Sequence, residues 1–274
     1  MPDSRHMRVD RYLERIGLER PIRPDLESLR AIHRAHLMSI AYENFDVQFG
    51  RPVTIDIPAI YEKIVENGRG GWCYEMNGIF GWALTELGFK VTRATGAVMR
   101  EMGGAASEGN HLVLTVELDE GVYLADVGFG DGTLHPFAVR PGAFAANGFD
   151  FAVTRVDEHW WRFHNHRYSG APSFDFNLAP ADESLLAAKC DSLQRAPDSI
   201  FVQNLICFRH GDSGFVVLRG RVLREVTPEG VSERVLENAD EFRSVIADVF
   251  ALNVPDAGSL WPKICARHAE LFPA

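Results

Sequence analysis

The chain has 274 residues, 46% apolar and 24% charged, the composition of a globular protein that can bury its own core without a disulfide or metal. Its 28 Lys and Arg against 38 Asp and Glu leave a net charge of −10, which argues against nucleic acid or an anionic membrane as the main partner. No apolar run approaches the ~18 residues of a membrane span, and the opening Met1-Pro2-Asp3-Ser4-Arg5-His6-Met7-Arg8 is polar, so a cytoplasmic protein is expected.

The first ninety residues carry helical spacing. Val9, Tyr12, Leu13 and Ile16 form one stripe that Gly17 closes. Asp25 suits an N-cap, and Leu26, Leu29, Ile32, His33, His36 and Leu37 define the next face. Pro58 fits the first turn of a helix through Ile60, Ile64 and Val65 that stops at Asn67-Gly68. After Arg69-Gly70-Gly71-Trp72, a helix from Cys73 through Leu87 is predicted, with Gly88 ending it. From Phe89 the period becomes two. Short strands are expected at 90–94 and 97–99, a mobile loop at Gly103–Gly109, and a hairpin of His111–Leu118 with Val122–Val127. Further strands are expected at 149–156, 160–168, 201–208 and 215–218, and a helix over 240–250. The order indicates an α+β protein of about three units.

Four cysteines stand at 73, 190, 207 and 265 without metal-site spacing, and three of them read as buried apolar residues. Cys73 differs. It follows two glycines and begins a helix, where free N–H groups and the helix dipole favour a thiolate. A nucleophilic thiol needs a base, and the base an orienting group. His111 opens a strand, and Asp126 lies near the end of the partner strand. A symmetric three-residue loop at 119–121 would put Asp126 on the wrong face. An even loop, or a bulge, is needed so that 111 faces 126 or 128.

Arg69-Gly70-Gly71-Trp72-Cys73, Asn110-His111-Leu112 and Asp126-Val127-Gly128-Phe129-Gly130 together resemble, in order and spacing, the arylamine N-acetyltransferases. Leu29–Leu37 followed by Glu43-Asn44-Phe45-Asp46-Val47, and Pro197–Leu205, extend the resemblance over roughly residues 8 to 210. The resemblance implies an N-terminal helical bundle (1–88) carrying the nucleophile. A central β-barrel (89–195) would carry His and Asp, and an α/β lid (196–274) would follow. It implies a Cys73–His111–Asp126 triad that moves an acetyl group from acetyl-CoA, a co-substrate rather than a resident cofactor, to an aromatic amine, hydrazine or hydroxylamine. Tyr42, Val98 and Phe129 would contact substrate, and the Gly109 and Gly130 segments would lie beside the CoA arm. Ala41-Tyr42 stands where the family usually has Pro-Phe, and Arg69 with Glu43 reads as a structural ion pair.

The remaining candidates read as packing. His164 and His166 are read as surface residues, His33 and His36 as hydrogen-bonded core, and Trp160-Trp161 as barrel core. A cysteine hydrolase or transglutaminase-like enzyme would use the same three residues without CoA. A binding protein would leave Cys73 unreactive.

Overall fold

A computed structural model describes residues 7–273; the polar start, apart from Met7 and Arg8, lies outside the described residues. Helices α1 (Val9–Arg15) and α2 (Leu26–Ser39) bury the stripes that their spacing predicts, among them Tyr12, Leu13, Leu29 and Ile32. The Asp25 carboxylate accepts the Ser28 N–H at 2.8 Å and caps α2. After β1 (Tyr42–Glu43) and α3 (Phe45–Gln48), α4 (Ile57–Tyr61) has Pro58 in its first turn and winds on as a π turn over Glu62–Glu66. Helix α5 (Cys73–Glu86) is buried almost all round. Gly78 lies against Ile57 and Ile60 on one side and Gly81 against Leu114 on the other, so helices and sheet close on it from both sides.

The middle of the chain forms an eight-stranded antiparallel sheet. It comprises β2 (Lys90–Val98), β3 (His111–Leu118), β4 (Gly121–Leu124), β5 (Phe137–Ala138), β6 (Gly142–Ala146), β7 (Phe149–Arg155), β8 (Trp161–His164) and β9 (Ser173–Pro180). Their order is β5-β4-β3-β2-β9-β8-β7-β6. The expected barrel is therefore not hydrogen-bonded into closure among the described residues. The sheet curls until its two end strands meet through side chains, with Phe137 of β5 and Phe144 of β6 5.3 Å apart. Inside the curl lie Phe151, Phe163, Phe174 and Phe176.

Four local expectations change. Residues 90–98 form one strand with an irregularity between Ala94 and Gly96, not two short ones. The expected loop at 103–109 is largely two short helical turns, α6 (Arg100–Gly103) and a 3-10 turn over Gly104–Ser107, entered through Met99 at φ +54°. Strand 160–168 is cut to β8. Trp160 and Trp161 are half-buried, not core, and lie under the guanidinium groups of Arg100 and Arg155.

After α7 (Glu183–Arg195), residues 200–203 form α8 (Ile200–Gln203) and not strand, because the Ser199 side chain caps the Phe201 N–H. A second sheet follows, with β10 (Ile206–Gly211), β11 (Gly214–Arg219), β12 (Val222–Thr227) and β13 (Gly230–Val235). Its first strand is β1, so Tyr42 pairs with Phe208 and Glu43 with Cys207. Helix α9 (Ala239–Ser244), which winds on as a π turn over Val245–Val249, and α10 (Trp261–Leu271) follow, and Phe242, Ile246, Phe250 and Ile264 pack in one cluster with Leu218 and Leu223. No helix among the described residues is long and apolar enough to cross a membrane.

Candidate active site

The start of α5 rests on a line of buried charges. The Trp72 N–H donates to Glu75 Oε2 at 3.2 Å, and Lys63 Nζ grips both Glu75 oxygens at 2.8 and 2.9 Å. Lys63 also reaches Asp46 at 2.7 Å, and Arg69 bridges Asp46 (3.4 Å) to Glu43 (2.7 Å). Burial opposes the Lys63 ammonium, but the carboxylates of Glu75, Glu43 and Asp46 outweigh it and raise its pKa. The Arg69–Glu43 pair expected from the sequence is part of this network. Strand β1 lies tight on the segment before α5: the Glu43 N–H donates to Gly71 O at 2.9 Å. A Cβ on Gly70 would stand 2.0 Å from Ala41 O, so only glycine fits there.

The β3–β4 hairpin has an even loop. Leu118 pairs with Gly121, leaving Asp119 and Glu120 as the turn. The same register carried onward sets His111 opposite Gly128, with Asp126 on the same face. His111 Nε2 and Asp126 Oδ2 lie 2.7 Å apart, both side chains buried. The other carboxylate oxygen accepts the Gly128 N–H at 2.8 Å and the Asn77 amide at 2.7 Å. Burial raises the Asp126 pKa, but His111, Asn77 and Gly128 together bring it below the usual range. Asn77 also donates to Leu112 O (2.6 Å) and accepts the Val127 N–H (2.9 Å), tying α5 to both strands. A Cβ on Gly128 would fall 2.9 Å from Cys73 Cα, so the turn after Asp126 is pressed onto the cysteine backbone.

Cys73 thus lies with its backbone against the turn that follows Asp126, and it is 4% exposed. Burial pushes its thiol up, as do Cys190 and Asp126, and the Tyr74 N–H at the helix start pulls it down. The helix-start N–H acts in the expected direction, and burial opposes it more strongly.

Phe129 stands 5.6 Å from His111 and 4.7 Å edge-on to Phe174. Tyr42 is buried in the same apolar cluster as Cys73 and meets Phe208 edge-on at 5.6 Å. Gly130 lies under the Phe208 ring, and its carbonyl accepts from His210 Nε2 at 2.8 Å. Gly109 is fixed to the α5 start through Tyr74, whose hydroxyl donates to Gly109 O at 2.6 Å. Val98 packs in the cluster that holds Phe129, and its N–H donates to Asn110 Oδ1.

Three residues escaped sequence reasoning. Asn77 could have been found, since it sits four residues after Cys73 on the same helix face. Phe174 and Phe208 arrive through strand pairing that no local signal announces. His33 and His36 are core, bonded to Leu134 O and the Tyr12 hydroxyl. His166 is buried rather than on the surface, against Asp131 O. No cluster of three or more possible metal ligands occurs among the described residues. A cleft of about 500 Å³ opens on the charge network at Asp46, Arg51, Lys63, Arg69 and Glu75, but its lining includes neither Cys73 nor His111.

Comparison with known proteins supplies the class. A family model described as N-acetyltransferase matches residues 25–258. The arylamine N-acetyltransferase of Mycolicibacterium smegmatis is 34% identical over 95% of this chain and 97% of its own. That of Escherichia coli K12 is 29% identical over 91% and 90%. Among solved structures, M. smegmatis arylamine N-acetyltransferase superposes with a TM-score of 0.83 at 31% identity, over 98% of this chain and 100% of that one. The Mycobacterium marinum enzyme in complex with CoA gives 0.84 at 28% identity, over 95% and 98%.

Proposed function

This chain belongs to the arylamine N-acetyltransferase family, and from that premise we propose that Cys73, His111 and Asp126 carry the acetyl group and the proton between acetyl-CoA and an aromatic amine. The observation that supports the reading most is the buried His111–Asp126 contact at 2.7 Å, on a turn pressed against the backbone of Cys73. His111 spends Nε2 on Asp126, so Nδ1 is the nitrogen that takes the thiol proton. Thiolate and imidazolium form together, which offsets the burial that keeps an isolated thiol protonated.

The thiolate attacks the acetyl carbonyl, the oxyanion collapses, and CoA leaves with the proton from His111. An arylamine is neutral at pH 7 and nucleophilic. It attacks the acetyl-cysteine while His111 takes its proton, and Cys73 is released as thiolate. This is ping-pong chemistry, one thiol accepting and then donating the same group. In this reading residues 1–88 carry the nucleophile, 89–195 the base and its carboxylate, and 196–274 cover them. Tyr42, Val98 and Phe129 line the acceptor side, and the backbone at Gly109 and Gly130 flanks the pantetheine arm of CoA.

Intact mass after mixing with acetyl-CoA alone tests the scheme. One added acetyl group, mapped to Cys73 and discharged by an arylamine, is expected. N-acetylation that proceeds while Cys73 stays unmodified would sink it. An acyl-enzyme formed from simple esters but not from acetyl-CoA would point to a hydrolase.

A further inference from the structure

After β4 the chain leaves regular structure until Phe137, and side chains from other units hold the segment between. Three buried histidines take its carbonyls. His210 Nε2 of the second sheet donates to Gly130 O at 2.8 Å, His166 Nε2 to Asp131 O at 3.0 Å, and His33 Nδ1 of α2 to Leu134 O at 3.0 Å. A carbonyl only accepts, so each of these nitrogens carries its proton. The His210 bond falls one residue after Phe129, whose ring lies 5.6 Å from His111.

Strand β10 brings two alternate residues onto that glycine. Phe208 and His210 stand two positions apart and so share a face of the strand. A Cβ on Gly130 would fall 2.9 Å from the Phe208 ring, and the backbone there is at φ +85°. The ring therefore covers the bare Cα while the imidazole takes the carbonyl, an arrangement open to glycine alone. On either side of this clamp the segment is anchored to other elements. The Gly128 N–H is bound to Asp126, and the Asp131 carboxylate accepts the Gly170 N–H at 2.7 Å and the Asn165 amide at 2.8 Å. His210 is 7% exposed against Phe215, and burial lowers its pKa to about 4, so at neutral pH it holds Gly130 O as an uncharged donor. We propose that His210 is a positioning residue for the acceptor: by holding Gly130 O it fixes the tilt of Phe129 against His111, so that a side chain of the second sheet sets which aromatic amine is seated. The inference rests on Phe129 lining the acceptor side.

His210→Leu removes the donor and keeps bulk, whereas His210→Gln carries an amide N–H to the same reach. Enzyme acetylated on Cys73 is mixed with aniline or with 2-naphthylamine, and the second-order rate of discharge is read for each. In His210→Leu the rate with aniline, which has one ring to seat, is expected to fall about tenfold relative to 2-naphthylamine, and His210→Gln should restore the wild-type ratio. Iodoacetamide alkylation of Cys73 should overlay wild type in both variants, because Asn77 and Gly128 hold Asp126 without His210. In a Phe129→Ala background, His210→Leu should shift the ratio no further. An unchanged ratio in His210→Leu would overturn the proposal, as would equal shifts in the leucine and glutamine variants or a parallel loss of alkylation. Should leucine prevent folding, His210→Asn, whose amide stops one methylene short of Gly130 O, carries the same expectation. A Phe129→Ala enzyme that keeps the wild-type ratio would instead refute the acceptor-side reading of Phe129, and a wild type that never acetylates Cys73 would refute the carrier assignment.

Discussion

Asp126 is the residue whose identity decides which nitrogen of His111 carries a proton. One carboxylate oxygen faces Nε2 and the other accepts from Asn77 and Gly128. Asp126→Asn can keep the Asn77 and Gly128 bonds through its amide oxygen, which turns its NH2 toward Nε2. The imidazole must then accept at Nε2 and hold its hydrogen on Nδ1, the nitrogen needed to receive the thiol proton. Turnover is expected to drop by about 10³-fold or more with the fold intact. Iodoacetamide alkylation of Cys73 at pH 6 should slow and recover only at alkaline pH; a profile that overlays wild type would remove Asp126 from the site. The candidate triad was readable because Cys, His and Asp each stand at an element boundary in sequence. Asn77 is harder to pick out: it shares a helix face with Cys73, but a polar residue on a helix looks like a solvated one until the helix is known to be buried almost all round.

Helix α5 depends on the charges beneath it more than on its own caps. Lys63 lies between Asp46 and Glu75 with its side chain 15% exposed. Lys63→Met keeps the chain length and strands the buried Glu75 carboxylate, leaving Asp46 to Arg69, and is expected to destabilise the protein by about 3 kcal/mol in urea unfolding. A loss below about 1 kcal/mol would mean that water already screens the pair. The periodic helices and the β3–β4 hairpin were legible because each has one buried face and a glycine or cap at its end. Strand β13 was not: Val231, Ser232, Glu233, Arg234 and Val235 are all exposed, so burial imposes no alternation. Residues 200–203 misled for the opposite reason. Ile200, Phe201 and Val202 favour strand, yet the Ser199 cap and the bonds from Gln48 and Asn44 to Phe201 O hold them as one helical turn.

Five histidines, 33, 36, 135, 166 and 210, have pKa values lowered by burial, His33 and His210 to about 4 from 6.5. The unfolded chain takes these protons first as pH falls below 6.5, so stability declines from there towards pH 4. At pH 5 the loss is about 2 kcal/mol for each of His33 and His210. Asp131 runs the other way: burial raises it to about 6, and it gains stability on protonation. The histidines outnumber it, so the unfolding midpoint in urea should fall between pH 7 and pH 5. His210→Gln, which keeps a donor for Gly130 O, should flatten that fall; an identical slope would locate the acid sensitivity elsewhere. A ring of strands bonded all round has a fixed girth, since widening it breaks a full row of ladder bonds. Strands β5 and β6 share no ladder, and parting Phe137 from Phe144 costs on the order of 1 kcal/mol. From that seam the rings run inward, Phe137 on Phe163, Phe163 on Phe129, Phe129 on His111. The seam of the sheet and the imidazole are therefore joined by one string of rings, so that a slip of the Phe137–Phe144 pair reaches His111 through Phe163 and Phe129.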